Sequence, residues 1–398
     1  MRETTDILIS GGGVAGLTAA AAFGAQGFRV IIVDPMPPVT TETDPGADLR
    51  TTAFLQPSVP VLQAAGLWTR LATHAAPLWT MRIIDAGGAS PEPRLTKDFR
   101  AAEISDQPFG WNLPNWLLRR EMVARLAELP NVSFRPGVAT TGLVTRDAEA
   151  IVTLTGGDRV FARLAIAADG RASTLRTAAG IPVRTLSYGQ KALAFAVTHP
   201  VPHQNVSTEV HRSGGPFTLV PLPDRAGVPA SAVVWMERGP EITRLAALPA
   251  EAFEAEMTTR SADILGPLTL ASRRTVWPII TQIAARLNGP RLALIAEAAH
   301  VLPPIGAQGL NMSLADLSAL LDLALAQPGD LGSPAMLTAY HRQRHWDIET
   351  RLAGIDLLNR ASMQGAPLLR NARAAALNAL YALKPVRKTL MKAGLGIR

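Results

Sequence analysis

The sequence predicts an α/β protein with a Rossmann-like nucleotide-binding domain, an inserted, mostly antiparallel β domain and a helical C-terminal segment. Three observations lead there. A glycine-rich turn joins a short apolar strand to an Ala-rich helix near the N-terminus. Alternating strand patterns run through residues 185–280. After residue 290 a buried strand returns and a long apolar helix follows it.

The first observation covers Asp6 to Pro35, DILISGGGVAGLTAAAAFGAQGFRVIIVDP. Ile7 to Ile9 suit a strand buried on both faces. Gly11, Gly13 and Gly16 then spell G-x-G-x-x-G, and RVIIVD forms a second strand ending at Asp34. This strand–turn–helix–strand context separates the motif from a chance cluster of glycines. Gly11 permits the tight turn, Gly13 lets a pyrophosphate approach the backbone, and Gly16 lets helix and strand pack closely. The helix N-terminus offers free N–H groups and a positive dipole end to phosphate. Asp34 can accept hydrogen bonds from ribose hydroxyls, and its charge disfavours a 2′-phosphate. The motif alone leaves FAD and NAD both open.

Residues 36–60 are rich in Pro, Thr and Asp and read as a loop, and Val59, Leu62 and Ala65 then take helical spacing before Gly66. Asn115 to Leu129 has the pattern of an amphipathic helix. Asn131 to Gly170 reads as a strand meander with a hairpin turn at Gly156-Gly157, ending in LAIAA and Asp169-Gly170. KALAFAV, FTLVPL and ASAVVWM alternate as antiparallel strands, with one helix near Ala250 to Ser261. The resulting division is a discontinuous nucleotide-binding domain (1–75, 106–184 and 281–345), a β-sheet substrate domain (76–105 and 185–280) and a basic helical segment (346–398). No second G-x-G-x-x-G stands in a strand–helix context, which disfavours a reductase with two nucleotide domains.

The 398 residues are apolar in balance and contain no cysteine, which excludes disulfides, thiolate chemistry and cysteine metal ligands. The net charge of +7 is concentrated at the end: from Arg351 onward there are nine Lys or Arg and one acidic residue, Asp356. A tail of this kind can meet an anionic membrane face or an acidic partner. The main body has no basic cluster interleaved with aromatics, so nucleic acid is not expected. No uninterrupted apolar window predicts a transmembrane helix. The expectation is a cytoplasmic location, which the basic tail extends to a peripheral position on the inner face of the membrane.

Three blocks recur in a fixed order: the glycine turn with Asp34, AIAADGRASTLRTAAGI (165–181), and LIAEAAHVLPPIGAQGLNMSLAD (294–316). This order resembles the FAD-dependent aromatic hydroxylases of the para-hydroxybenzoate hydroxylase superfamily. The third block, with DLRTTAFL, FGWNLPNWLLRR and YGQKALAF, is similar to its ubiquinone-biosynthesis branch. The resemblance implies FAD held by Gly11, Gly13, Gly16 and Asp34, with Arg50 and Arg119 reaching the cofactor and Asp169 and Gly170 near the pyrophosphate. It places Glu297 against the ribityl chain and Gly309 where backbone covers the flavin ring. The chain departs from the family pattern at Ala296 and Ser313, where glycine is usual.

The implied reaction is hydroxylation of the aromatic ring of a polyprenylated ubiquinone precursor through a flavin C4a-hydroperoxide. NAD(P)H or a reductase supplies electrons and O2 the oxygen. Such chemistry needs positioning and exclusion of water rather than a nucleophile or a metal. His300, Pro303 and Gly306 are the candidates for the flavin-ring environment, although His300 also reads as a structural histidine. Asn311 is read as a cap of the helix that follows, and as a cofactor contact. Trp111, Phe217, Trp235 and Trp277 are candidates for the substrate-pocket wall or plain core. Leu369, Ala372, Ala376, Leu380 and Leu383 form a helical stripe with Arg370, Arg373 and Lys384 on another face, suited to an anionic membrane or to a biosynthetic assembly. Two alternatives stay open: another FAD oxidoreductase of this fold, such as a soluble-phenol hydroxylase or prenyl reductase, and a non-catalytic flavoprotein in an assembly.

Overall fold

A computed structural model describes residues 2–88, 90 and 92–397; Arg398, counted in the basic tail, lies outside them. Among the described residues the strands form three sheets. In the first, Glu3–Ser10 lies between Arg159–Ala167 and Val30–Asp34, parallel to both, with Ile9 opposite Ile166 and Ile32. Val132–Pro136 extends it parallel on one side and Leu292–Leu294 on the other. Ile7, Leu8, Ile9 and Leu292 to Leu294 have no exposed surface, as expected of strands covered on both faces. The hairpin at Gly156-Gly157 forms, with both residues at φ +91°, a conformation glycine reaches without a Cβ penalty.

Helix Val14–Ala25 runs from the glycine turn and is buried almost throughout. Its small side chains let it approach closely: a Cβ on Gly16 would lie 1.9 Å from the Gly11 carbonyl oxygen, and one on Gly24 would lie 2.3 Å from the Val132 side chain. Asn115–Ala127 packs beside it through Leu118 and Met122. Gln308–Ala326 is long and apolar enough to cross a membrane, but its Met312, Leu317, Leu320 and Leu321 lie in the same core as the first helix, so it is a core helix.

The second sheet is built mainly from Val183–Thr198, Val206–His211, Pro216–Arg225, Val228–Arg238 and Thr275–Ala284, with Thr80–Asp85 and Leu95–Arg100 at one edge. Its outer face is covered by Ala250–Arg260, which the sequence reading anticipated, and by Gly239–Ala247, which it missed. Short strand His300–Val301 pairs with Gln282 and Ile283, so the residues after the returning strand join the two sheets. A third, small sheet joins Thr51–Leu55 and Ala76–Leu78 to Gly110–Pro114.

After helix Pro334–Met363 come Pro367–Ala382 and Lys384–Leu395. The first of these two buries none of its residues, whereas Met391 and Leu395 of the second pack with Leu55 and Phe109. Arg373 does not sit on an outward basic face as the helical pattern suggested. It reaches Asp85 at the sheet edge, 2.9 Å away.

Candidate functional site: a glycine cradle facing a clamp

At the glycine turn, Gly11 adopts φ +112° and donates its N–H to Val33 O at 2.8 Å. A Cβ there would strike the Ala168 carbonyl oxygen at 2.2 Å, so only glycine lets the turn pass the end of the neighbouring strand. Gly13 begins helix Val14–Ala25 with no side chain capping it, and a Cβ there would meet nothing within 4 Å. The helix therefore presents free N–H groups to open space. Asp34 bridges the turn, accepting Gly12 N at 2.6 Å and Met36 N at 2.8 Å. Each of its oxygens retains a second lone pair for a ribose hydroxyl.

Asp169 follows the strand that meets Gly11, and Gly170 beside it takes φ +80°. One Asp169 oxygen accepts Thr174 N at 2.8 Å and Leu175 N at 3.2 Å, capping a short helix. The other is buried and has no partner.

A second charged group forms around Asp48, a residue that the sequence did not single out. Arg50 holds Asp48 through Nε at 2.8 Å and Nη2 at 2.7 Å, Asn115 donates to it at 3.0 Å, and Arg119 lies 3.7 Å away. Burial would raise the Asp48 carboxyl, but Arg50, Asn115 and Arg119 hold it below the usual range. Arg50 is raised by its hydrogen bonds to Asp48, with burial opposing and the charges of Asp48 and Glu297 adding to the rise. Its guanidinium also lies over the Trp277 ring at 5.4 Å. Arg50, Glu297 and Trp277 thus converge, though they are far apart in sequence. Arg119 Nε is buried without a partner.

The clamp, residues 296–311, is strained at two points. Ala296 has φ +56° and Ala307 φ +55°, both left-handed without being glycine. Ala296 is the position where the family resemblance expects glycine. Ile305 N donates to Pro303 O at 2.8 Å, and Gly306 follows at φ +64°. Gln308 ties the loop outward: its side chain donates to Gly394 O at 2.8 Å and accepts from Arg351 at 3.0 Å. Ser313, the other departure, donates to Gly309 O at 3.0 Å and leaves the helix intact.

One reading of the clamp changes, at Asn311, and at His300 the structural alternative fits the packing. Asn311 does not cap its helix, which starts at Gln308 and has no side-chain cap. Asn311 accepts from Leu55 N at 2.8 Å and Ser58 Oγ at 2.7 Å and donates to Ala53 O at 2.8 Å, fastening the helix to the small sheet. His300 is buried with Nε2 2.6 Å from Asp316, which accepts Arg344 Nε at 2.8 Å on its other oxygen. This charged chain fixes the ring in the core. His300 Nδ1 is buried and unpartnered.

The second sheet divides the pocket candidates. Trp277 shares the inner face with Ala192, Met236, Ile279, Ile305 and Ile355, and Tyr188 borders it. Phe217 and Trp235 lie on the outer face, in a core with Phe195 and Phe253 beneath the two covering helices, so they do not line this space. Trp111 packs edge-on against Trp68 at 5.0 Å instead. Met236, the immediate neighbour of Trp235, is the inward residue, because strand neighbours point to opposite faces.

An open glycine, an uncapped helix N-terminus, a carboxylate over the turn and orphaned polar atoms on Asp169 and Arg119 fit a cofactor with a pyrophosphate and hydroxylated chains. Comparison with known proteins agrees. A family model described as FAD binding domain matches residues 4–352. Ubiquinone hydroxylase UbiL of Rhodospirillum rubrum is 34% identical over 398 residues, covering 99% of this chain and 90% of that one. The chain belongs to the FAD-dependent ubiquinone-hydroxylase family. The 3-demethoxyubiquinol 3-hydroxylase of Escherichia coli, another member, is 26% identical with 99% of each chain covered. Among solved structures, p-nitrophenol 4-monooxygenase PnpA of Pseudomonas putida shares the fold at TM-score 0.80 and 20% identity, with both chains fully covered. This family member is therefore an FAD-dependent monooxygenase.

Proposed function

We propose that this monooxygenase hydroxylates the aromatic ring of a polyprenylated ubiquinone precursor, with NAD(P)H or a reductase as electron source. The observation that carries the reading is the inner face of the second sheet. An apolar surface of Ala192, Met236, Trp277 and Ile279 meets Ile305 of the clamp, beside Arg50 and Glu297. Bound FAD supplies the redox chemistry that activates O2. The chain supplies the rest. Gly11, Gly13 and Gly16 bring backbone to the pyrophosphate, Asp34 and Glu297 accept from hydroxyls, and Arg50, Arg119 and Asp169-Gly170 complete the cradle. Pro303, Gly306 and Gly309 shape the clamp over the flat ring. The free N–H groups of helix Gln308–Ala326 favour negative charge there. His300, held by Asp316, is a positioning residue that keeps the clamp strand on the sheet. Ile279, Ile305 and Ile355 exclude water where a phenol ring would sit.

In this reading 1–75, 106–184 and 281–345 hold the cofactor, 76–105 and 185–280 the substrate, and 346–398 serves location. Leu368, Leu369, Leu380, Leu383 and Leu390 are 45–78% exposed on the last two helices, interleaved with cations. Such a surface suits peripheral contact with an anionic membrane, where a prenylated substrate resides. Deleting the gene and profiling quinone intermediates by mass spectrometry tests the proposal. A prenylated precursor lacking one ring hydroxyl is expected to accumulate, and an unchanged quinone profile contradicts it.

A further inference from the structure

On the outer side of the second sheet, remote from the clamp, a cavity of 430 Å³ opens where helix Ala250–Arg260 meets helix Pro367–Ala382. Arg212, Arg260, Arg370, Trp235 and Glu237 line it. Arg260 is only 7% exposed. It donates to Val210 O at 3.0 Å and Gly215 O at 2.7 Å, and its Nε has no partner. Among the described residues no carboxylate lies within ion-pairing distance of Arg212, Arg260 or Arg370. The Nε atoms of Arg370 and Trp235 are likewise buried without acceptors.

The acidic side of the cavity does not balance this charge. Glu241 and Glu256 both hold Arg244, each at 2.6 Å. Glu237 forms no ion pair among the described residues; burial raises its carboxyl above the usual range against the pull of the Arg238 N–H and the Arg260 charge. Burial draws the Arg260 guanidinium down to about 10; the charge of Glu237 opposes this, and Arg212 and Arg373 add repulsion. Three unpaired guanidinium groups thus face one glutamate in a partly desolvated space. One carboxylate cannot balance three guanidinium groups, under-compensated buried charge is costly, and guanidinium forks match phosphate oxygens bidentately.

We infer that this cavity is a second ligand site, which takes a phosphate ester through Arg212, Arg260 and Arg370. Glu237 lies where it can accept from a hydroxyl or ammonium carried beside the phosphate. Arg370 follows Leu368 and Leu369, which are 78% and 46% exposed, so the same chemistry could arrive as a phospholipid headgroup or as a free phosphate ester. The site does not depend on which ring is hydroxylated.

The test uses the full-length holoprotein. Isothermal titration with glycerol 3-phosphate, at constant ionic strength and against sulfate, reads the free ester. Flotation with phosphatidylcholine vesicles, with and without phosphatidylglycerol, reads the headgroup. Arg212→Glu with Arg370→Glu is expected to weaken glycerol 3-phosphate binding at least tenfold while the bound-flavin spectrum stays unchanged. Loss of vesicle recruitment in the same variant assigns the headgroup as the source; retained recruitment assigns the free ester. Arg146→Glu, a charge change on an exposed strand end of the cofactor half, should leave both readouts near wild type. The inference is overturned if glycerol 3-phosphate gives no heat beyond sulfate and Arg146→Glu impairs recruitment as much as the double variant. It is equally overturned if the double variant changes neither readout.

Discussion

The two faces of the second sheet carry the same kind of residue to different ends. Phe217 and Trp235 on the outer face are covered by two helices, with ring centroids 5.4 Å apart and Phe253 beside them, and Trp235 borders the outer cavity only at its edge. Met236 and Trp277 on the inner face meet the clamp. A single step along the strand, from Trp235 to Met236, moves from the helix-covered core to the face proposed for the substrate ring. A pocket wall and a core wall are therefore not distinguished by residue type but by what covers each face.

Substitutions on the two faces should separate accordingly. Trp235→Ala removes a large outer-face side chain and should cost about 3–5 kcal/mol in denaturant unfolding, while KM for the phenolic substrate stays within about twofold. A large KM change with little loss of stability would place Trp235 on the substrate side after all.

The sheet edge gives the next largest effect. Burial would raise the Asp85 carboxyl, but Arg94, Arg373 and the Gly87 N–H together bring it below the ordinary value. The stability it contributes is complete above the unfolded carboxyl pKa of about 3.9 and is lost as pH falls through the lower folded value. Helix Pro367–Ala382 should thus gain hydrogen exchange under strongly acidic conditions before the parallel sheet does. Asp85→Asn should weaken its docking by about 2 kcal/mol and loosen it already at neutral pH. Equal exchange in the variant and the wild type would show that Arg373 does not hold the helix.

On the inner face, Met236→Trp fills the space proposed for the substrate ring. It should lower kcat/KM at least tenfold, about 1.4 kcal/mol in barrier, with flavin content unchanged. Full activity would place the ring elsewhere. Ala296→Gly relieves a left-handed alanine but frees the unfolded chain, so the net gain in thermal unfolding should stay below about 1 kcal/mol. A destabilised variant would mean that the alanine methyl makes a contact outweighing the strain.

Much of the cofactor half was legible in sequence, because its constraints are local. Gly11, Gly13 and Gly16 answer to one turn, and a Cβ at Gly11 or Gly16 would collide with backbone. The first two strands with the helix between them, the hairpin at Gly156-Gly157 and the long helix after Gly306 followed from apolar periodicity and turn residues. The inner face proposed for the substrate ring was not legible. Alternation tells that Trp235 and Met236 face oppositely, but not which face a missed helix, Gly239–Ala247, will cover. Asp48 was hidden for a similar reason: its partners Arg50, Asn115 and Arg119 come together only when the small sheet forms. Asn311 lost its role as a cap because three partners around residues 53–58 claimed its side chain. His300 was visible as a buried histidine, yet its partners Asp316 and Arg344 lie on different helices.

The proposed reaction passes oxygen from O2 to a ring held against the clamp. Incubating the purified, flavin-loaded protein with a prenylated phenol, an electron donor and oxygen-18 gas tests this most directly. The predicted result is a product one ring hydroxyl heavier, whose added oxygen carries the label, and its loss in Met236→Trp. A protein that binds FAD but returns the phenol unchanged while consuming O2, or inserts oxygen from water, would contradict it.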